Sequence, residues 1–254
     1  MRNRFIFAGL VAASLVHAGG ALAVDINVYS AGAVQEAEKA LAADFRQMTG
    51  NRVIFTVGTV GQIQEKLKSG APADVIVVST AALEQLEKAS EVRSAGSAVL
   101  ARIGIGVGVK DGADIPDIST PEKFKAAVLK AKSVTYMDPA QGASSGIATA
   151  KIMKDLGIAD EVAKKTKLTG SGYSADRVAS GEVELAIQNI SEIVPVKGVR
   201  LAGPLPQPLQ VYTTYAAGVA TKSLNPKEST DFIRFLTRAE SGAHWKEAGI
   251  EPAH

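Results

Sequence analysis

Short runs of β-branched and aliphatic residues alternate with segments of helical period along almost the whole chain. That alternation constrains the fold more than any other feature. Val53-Ile54-Phe55-Thr56-Val57 and Val75-Ile76-Val77-Val78 read as strands, and between them Ile63 and Leu67 fall at helical spacing within Gly61 to Ser69. Upstream, the strand Ile26-Asn27-Val28-Tyr29 stops at Ser30-Ala31-Gly32-Ala33. Val34, Ala37, Leu41, Phe45 and Met48 then mark one face of a helix that Thr49-Gly50-Asn51 ends. Strands separated by single helices imply parallel βαβ units, hence an α/β fold with helices covering a mainly parallel sheet.

Val99 to Val109 differs, being a long β-like run with Gly104, Gly106 and Gly108 on alternate residues. Glycine inside a strand marks a bend or a close backbone approach, so the run reads as a crossover out of a first lobe. Thr120 can cap a helix that has Pro121 at its first position and Phe124, Ala127, Val128 and Ala131 as its buried stripe. Ser133 to Met137, Val183 to Ile190, Val199 to Leu201 and Val211 to Ala220 read as further strands, and the tail from Pro226 as mainly helical. The proline-rich stretch Gly203 to Pro208 reads as the return linker. The expected organisation is a first lobe from 24–103 and 206–254 and a second lobe from 104–205.

The N-terminus carries Arg2 and Arg4, an apolar stretch from Phe5 to Val16, and Ala21-Leu22-Ala23. This is the order of a secretory signal peptide cleaved after Ala23, and the stretch is shorter than the roughly 20 residues of a membrane span. The expected location is therefore the periplasm. Removing the leader takes two of the 28 Lys and Arg, leaving 26 against 26 Asp and Glu. No basic block remains to suggest nucleic acid or an anionic membrane, so anion affinity must come from a local site. The chain has no cysteine, which excludes disulfides and thiolate chemistry. Its histidines are His17, in the leader, and His244 and His254, near the C-terminus, so no metal or triad motif can be assembled and no cofactor is expected.

Chemistry is concentrated in strand-to-helix loops. Ser30 to Ala33 and Asp138 to Gly146 share one design, small residues ahead of a helix, and Thr56 to Gly61 is a third candidate. Amide N–H groups at a helix start are unpaired within the helix and sit at the positive end of its dipole, which suits a carboxylate or oxyanion. Ser30, Thr59, Ser144 and Ser145 can add hydroxyl donors. Any one such loop is most often just a cap; several together favour binding. Asp74 reads as a cap for local backbone N–H groups, because a carboxylate there would repel an anion. Glu192 likewise reads as structural.

Gly70-Ala71-Pro72-Ala73-Asp74-Val75, followed by a strand, resembles a segment of periplasmic molybdate-binding proteins. Val28-Tyr29-Ser30-Ala31-Gly32-Ala33, the Asp138-Pro139 turn and the closing Lys246-Glu247-Ala248-Gly249-Ile250 fall in matching order. The resemblance implies a type II solute-binding protein of an ABC importer: two lobes, a hinge of two crossing strands, and a ligand held in the cleft of a monomer. The loops, the aligned family positions and the nearby polar side chains together give the candidate ligand contacts Ser30, Ala31, Gly32, Ala33, Thr59, Val60, Gly61, Ser144, Ser145, Tyr173, Gln188 and Asn189. Four positions depart from the family pattern: Ala33 and Val60 stand where serines are expected, Ser145 for an alanine, and Asn189 for a tyrosine.

Losing two hydroxyls removes about 1.5–3 kcal/mol each where those bonds reach a charged ligand. Gln141, Gln188, Asn189, Tyr173 and Arg177 are offered instead, and amides with arginine suit planar carboxylates. The expected function is capture of a small, molybdate-like oxyanion for import, without catalysis. A small organic carboxylate, taken up or sensed, is the alternative. An exported hydrolase using Ser144 or Ser145 is the remaining one, and it lacks a base: no histidine lies mid-chain, and Lys151 is too far along the chain from Ser144 for a Ser-x-x-Lys pair.

Overall fold

A computed structural model describes residues 23–253. The expected leader, apart from Ala23, lies outside the described residues. The first half alternates strand and helix: β1 (Asp25–Ala31), α1 (Gln35–Thr49), β2 (Arg52–Gly58), α2 (Val60–Lys68), β3 (Val75–Ser79) and α3 (Thr80–Lys88). A 3-10 turn, Gly32–Val34, joins β1 to α1. Gly50, at φ 79°, closes α1 in the left-handed conformation that glycine adopts without penalty. β4 (Ala98–Lys110) then leads into α4 (Pro121–Lys130), β5 (Val134–Thr135), α5 (Ser144–Asp155), α6 (Ala159–Ala163) and α7 (Ala175–Ala179). β6 (Leu185–Asn189), β7 (Val199–Pro204), β8 (Tyr212–Val219), α8 (Pro226–Leu236), α9 (Gly242–Glu247) and β9 (Glu251–Pro252) complete the order.

The strands form one sheet in the order β2-β1-β3-β8-β4-β6-β5, with β7 and β9 also paired to β4. β2-β1-β3 is parallel, as the helical crossovers dictate. Beyond that trio the sheet is mixed. β8 runs antiparallel to both β3 and β4, β4 antiparallel to β6 and β7, and β5 alone lies parallel to β6 in the second lobe. The physical reason is connectivity: strands that carry the chain out of and back into a lobe must run against each other.

β4 serves both lobes. Its first part, to Gly104, pairs with β8, and from Ile105 onward it pairs with β6. Gly106 is required there, since a Cβ would lie 2.8 Å from side-chain carbons of both Ile190 and Leu201. Only this outward passage of the hinge is a continuous strand. The return, between Pro204 and Tyr212, carries Pro206 and Pro208, whose missing N–H groups cannot serve a ladder. Its place is taken by the Gln210 side chain: Oε1 accepts from Ile105 N at 2.8 Å and Nε2 donates to Ile105 O at 2.9 Å.

The apolar side chains gather accordingly. One core runs from Ile26 to Ile103 and resumes from Tyr215 to Ile250. A second runs from Ile105 to Leu205. Phe45 of α1 meets Phe232 and Phe235 of α8 edge-on, with centroids 5.2 and 5.3 Å apart. Each aromatic pair contributes about 0.5–1.5 kcal/mol beyond area burial, which ties the C-terminal tail to the N-terminal segment.

Asp74 makes the same connection with polar groups. Oδ2 accepts from Asn27 N at 2.9 Å, while Oδ1 accepts from Ser223 Oγ at 2.6 Å, Leu224 N at 3.1 Å and Asn225 N at 3.3 Å. Burial works to raise its pKa, but these donors prevail and hold the carboxyl below its ordinary value. Asp74→Ala is therefore expected to cost about 2–4 kcal/mol in urea unfolding, because backbone N–H groups lose their acceptor. With the folded pKa depressed, the wild-type advantage is full above the unfolded value of about 3.9 and disappears as pH falls through the folded value.

Candidate functional site

A cavity of about 110 Å³ lies between the lobes. The first lobe supplies Ala31 to Ala33 after β1 and Val57 to Val60 at the β2–α2 junction. The second supplies Ala143 to Ser145 at the start of α5, Ser171 to Tyr173, and Asn189 and Glu192 beyond β6. Tyr215 of β8 reaches it from the hinge side.

Two facing helix starts lack side-chain caps. Ala31 precedes the 3-10 turn that enters α1, and Ala143 precedes α5; neither can accept a bond from the first-turn N–H groups. The junction at α2 contrasts with both. Thr59 Oγ accepts from Gln62 N at 3.1 Å, and the Gln62 side chain accepts from Thr59 N at 3.0 Å in a capping box. Unpaired N–H groups at Ser144 and Ser145 therefore remain for a ligand, at the positive end of the α5 dipole.

The lobes touch directly around this space. Gly61 N donates to Gly142 O at 3.3 Å, Thr59 Oγ donates to Gln141 O, and Gln62 Nε2 reaches Gln141 Oε1 at 3.4 Å. A Cβ on Gly61 would lie 2.8 Å from Gln141 O and 2.9 Å from Gly142 Cα, so this approach requires glycine. Tyr173 OH accepts from Gln35 Nε2 and donates to Glu36 Oε1 at 3.1 Å, binding the second lobe to the start of α1. Ser191 Oγ donates to Ala33 O at 2.7 Å, and the Ser144 and Tyr215 hydroxyls pair at 2.9 Å.

Ala31, Gly32, Ala33, Thr59, Val60, Ser144, Ser145, Tyr173 and Asn189 come together on the cavity wall. Three of the expected residues do not reach it. Ser30 is fully buried and bonds to Glu38 of α1, because its side chain faces the helix instead of the cleft. Burial raises that carboxyl to about 8, against the Ser30 bond, which favours its neutral form. Gly61 serves the backbone contact between lobes. Gln188 lies behind the wall, with Oε1 accepting from Ala175 N at 3.2 Å. Arg177 does not line the cavity either; its guanidinium is held by Glu182 at 2.6 and 2.7 Å and by Thr169 Oγ at 3.1 Å.

Glu192, expected to be structural, closes a 3-10 turn after β6 and also stands on the cavity wall, 6% exposed. Its spacing from Asn189 was the available signal: three residues along a tight turn bring Glu192 back onto Asn189, whose Nδ2 donates to Oε2 at 2.9 Å. Burial pushes the Glu192 carboxyl up to about 7, against the Asn189 bond and the nearby Gln188 amide, whose Nε2 makes no hydrogen bond of normal geometry. Tyr215 was also missed, and nothing local marks it, because its neighbours here come from distant parts of the chain. Burial first, then the Glu192 charge, raises its pKa.

The wall is thus a mixture. It carries free N–H groups, hydroxyls, apolar side chains such as Val57, Val60 and Met137, and one acid, with no Lys, Arg or His among the described residues. Asn189 leaves a buried Oδ1 without a partner. Among the described residues, no group of three or more His, Cys, Asp or Glu is placed to hold a metal, and no helix is long and apolar enough to cross a membrane.

Comparison with known proteins agrees with this architecture. The periplasmic molybdate-binding protein of Azotobacter vinelandii superposes with a TM-score of 0.76 at 19% identity, over 89% of this chain and 98% of that one. The sulfate-binding protein of Mycobacterium tuberculosis gives 0.72 at 19% identity, over 91% and 87%. At these identities the likeness establishes the two-lobed type II binding-protein fold. In sequence, a protein of Pseudomonas sp named aconitate isomerase is 26% identical over 233 residues, covering 89% of this chain and 87% of its own length. The family model for bacterial extracellular solute-binding proteins matches residues 26–251, and the chain belongs to that family.

Proposed function

We propose that this protein captures a small organic carboxylate, of the unsaturated polycarboxylate class that includes aconitate, in the interlobe cavity. It then presents the ligand to an ABC importer from the periplasm. The observation that carries this reading is Glu192 on a wall without a cation. A tetrahedral oxyanion only accepts hydrogen bonds and needs donors on every side. Here part of the surround is apolar and part is a carboxyl group. A carbon skeleton fits against Val57, Val60 and Met137, its carboxylates reach the N–H groups of α5, and the protonated form of Glu192 donates to one carboxylate oxygen. The relative named aconitate isomerase points to the same ligand class. A molybdate-like oxyanion is the second reading, favoured by the fold shared with the Azotobacter protein.

Calorimetry with cis-aconitate, trans-aconitate, molybdate and sulfate distinguishes the two. The expected result is binding of an aconitate isomer and little heat from either oxyanion; tight molybdate binding with none for aconitate would reverse the assignment. The expected pH dependence follows from Glu192. An anion beside it favours the protonated form, so affinity is greatest below about 7 and falls by up to about tenfold per pH unit above that, until the pKa of the complex is reached.

Closure is tested separately by Gly61→Ala. The added Cβ meets Gln141 and Gly142 only when the lobes approach. Overpacking of this kind costs about 1–3 kcal/mol, so affinity is expected to drop about tenfold or more while urea stability without ligand stays near wild type. Unchanged affinity would show that the glycine contact is dispensable to closure.

A further inference from the structure

Glu192 is the only carboxyl among the described residues that line the cavity, and a binding role uses only its protonated form. Asn189 Nδ2 holds Oε2 at 2.9 Å and so fixes the side chain. Beside the Gln188 amide, which makes no hydrogen bond of normal geometry, Oε1 lies toward Gly32, where a Cβ would stand 3.4 Å away. With no side chain at Gly32, one carboxyl oxygen is left facing the space that a ligand fills. The titratable groups facing Glu192 are Tyr215 of β8 and Tyr173 from the loop before α7, with Glu36 of α1 beyond Tyr173; none is a cation. A carboxyl buried without a counter-charge costs stability, and groups kept in that state concentrate where protons are moved.

We propose that Glu192 is a proton carrier, and that this cleft catalyses a 1,3-proton shift on a bound unsaturated carboxylate. The proposal rests on the carboxylate reading of the cavity. In the forward step the ionised Glu192 takes a proton from the saturated carbon next to the ligand's C=C bond. The C–H electron pair becomes a new C=C bond, and the former π pair moves onto the far carbon and its carboxylate as a dienolate. Glu192 then returns the proton to that far carbon, forming a C–H bond there and regenerating its carboxylate. No electron enters or leaves, and no co-reactant is needed.

The protein's other groups suit that sequence. Negative charge that develops on the ligand carboxylate is met by the N–H groups of Ser144 and Ser145 and by the paired hydroxyls of Ser144 and Tyr215. The lobe contacts at Gly61, Thr59 and Tyr173 restrict water, which would otherwise quench the dienolate. Burial places the Glu192 pKa at about 7, where both the base and the acid are populated at neutral pH. The missing mid-chain histidine argues against a serine nucleophile, and a carboxyl carrier needs neither.

The experiment is proton NMR of cis-aconitate with the purified protein in D2O, beside calorimetry of the same samples. Wild type is expected to form the trans isomer, with deuterium entering only to the extent that the Glu192 proton exchanges with D2O between the two transfers. At saturating ligand the rate should rise with pH as Glu192 ionises, opposite to the affinity. Glu192→Gln should keep binding within about tenfold and lose isomerisation by about a hundredfold or more, the usual scale for a general acid–base group. Glu192→Asp, which keeps a carboxyl one methylene back, should recover part of that loss. Aconitate bound by wild type with neither isomerisation nor exchange above the protein-free rate would overturn proton transfer and leave the carboxylate reading intact. Absence of aconitate binding would overturn both. Full isomerisation by Glu192→Gln would overturn the assignment to Glu192.

Discussion

The backbone of Ile105 is the point about which the two lobes are organised. It lies where β4 stops pairing with β8 and begins pairing with β6, and the Gln210 side chain ties both its N–H and its C=O. Leu205 N adds a second donor to the same carbonyl at 3.0 Å. A side-chain amide can imitate a strand partner without extending the ladder, so the return passage is fastened at one residue and not along its length. That arrangement suits a hinge, because rotation strains few hydrogen bonds. It also sets which loops meet across the cleft: the end of β1 and the β2–α2 junction on one side, the start of α5 and the end of β6 on the other.

The electrostatics of the cleft follow from what those loops omit. Alanines before the 3-10 turn that enters α1 and before α5 offer no side-chain cap to the first-turn N–H groups, whereas Thr59 closes off α2 and spends its own proton on Gln141. In the proposed function, affinity for an anion comes from peptide dipoles and hydroxyls, since no cation lines the site among the described residues. Glu192 is the counterweight. A permanent positive charge beside it would hold it ionised, and without one its charge responds to the ligand. Specificity then follows from where the acid sits as well as from how many donors there are.

Much of this was legible in the sequence, for reasons particular residues show. β3 carries an uninterrupted β-branched run, β2 one broken only by Phe55, and β1 alternates Ile26 and Val28 with polar Asn27, while α1 buries Ala37, Leu41 and Phe45 at helical spacing although Met48, expected on the same face, is exposed. Asp74 could be kept off the cleft wall because a carboxylate is a poor wall for an anion, but the N–H groups it caps are not the local ones expected: they belong to Asn27, Leu224 and Asn225, far along the chain. Other features needed the folded chain. α6 and α7 are five residues each, less than two turns, too short to show a helical period. The Ser133 to Met137 strand shrinks to Val134–Thr135, because Met137 bridges to Thr169 outside the main ladder. Ser30 looked like a donor since it ends a strand, but facing direction alternates along a strand, and its hydroxyl meets Glu38. Glu192 and Tyr215 belong to the cavity only through tertiary approach, which no local pattern records.

The proposed binding role has the lobes close about Ile105 on a ligand, and distance measurement across the cleft tests that most directly. The chain has no cysteine, so Lys66→Cys and Lys154→Cys, both at exposed positions on opposite lobes, give a clean pair for spin labels. With saturating aconitate, pulsed electron–electron resonance should show a broad ligand-free distribution collapse to one narrower and shorter distance. An unchanged distribution in a sample that calorimetry shows to be fully bound would contradict closure and the cavity built upon it.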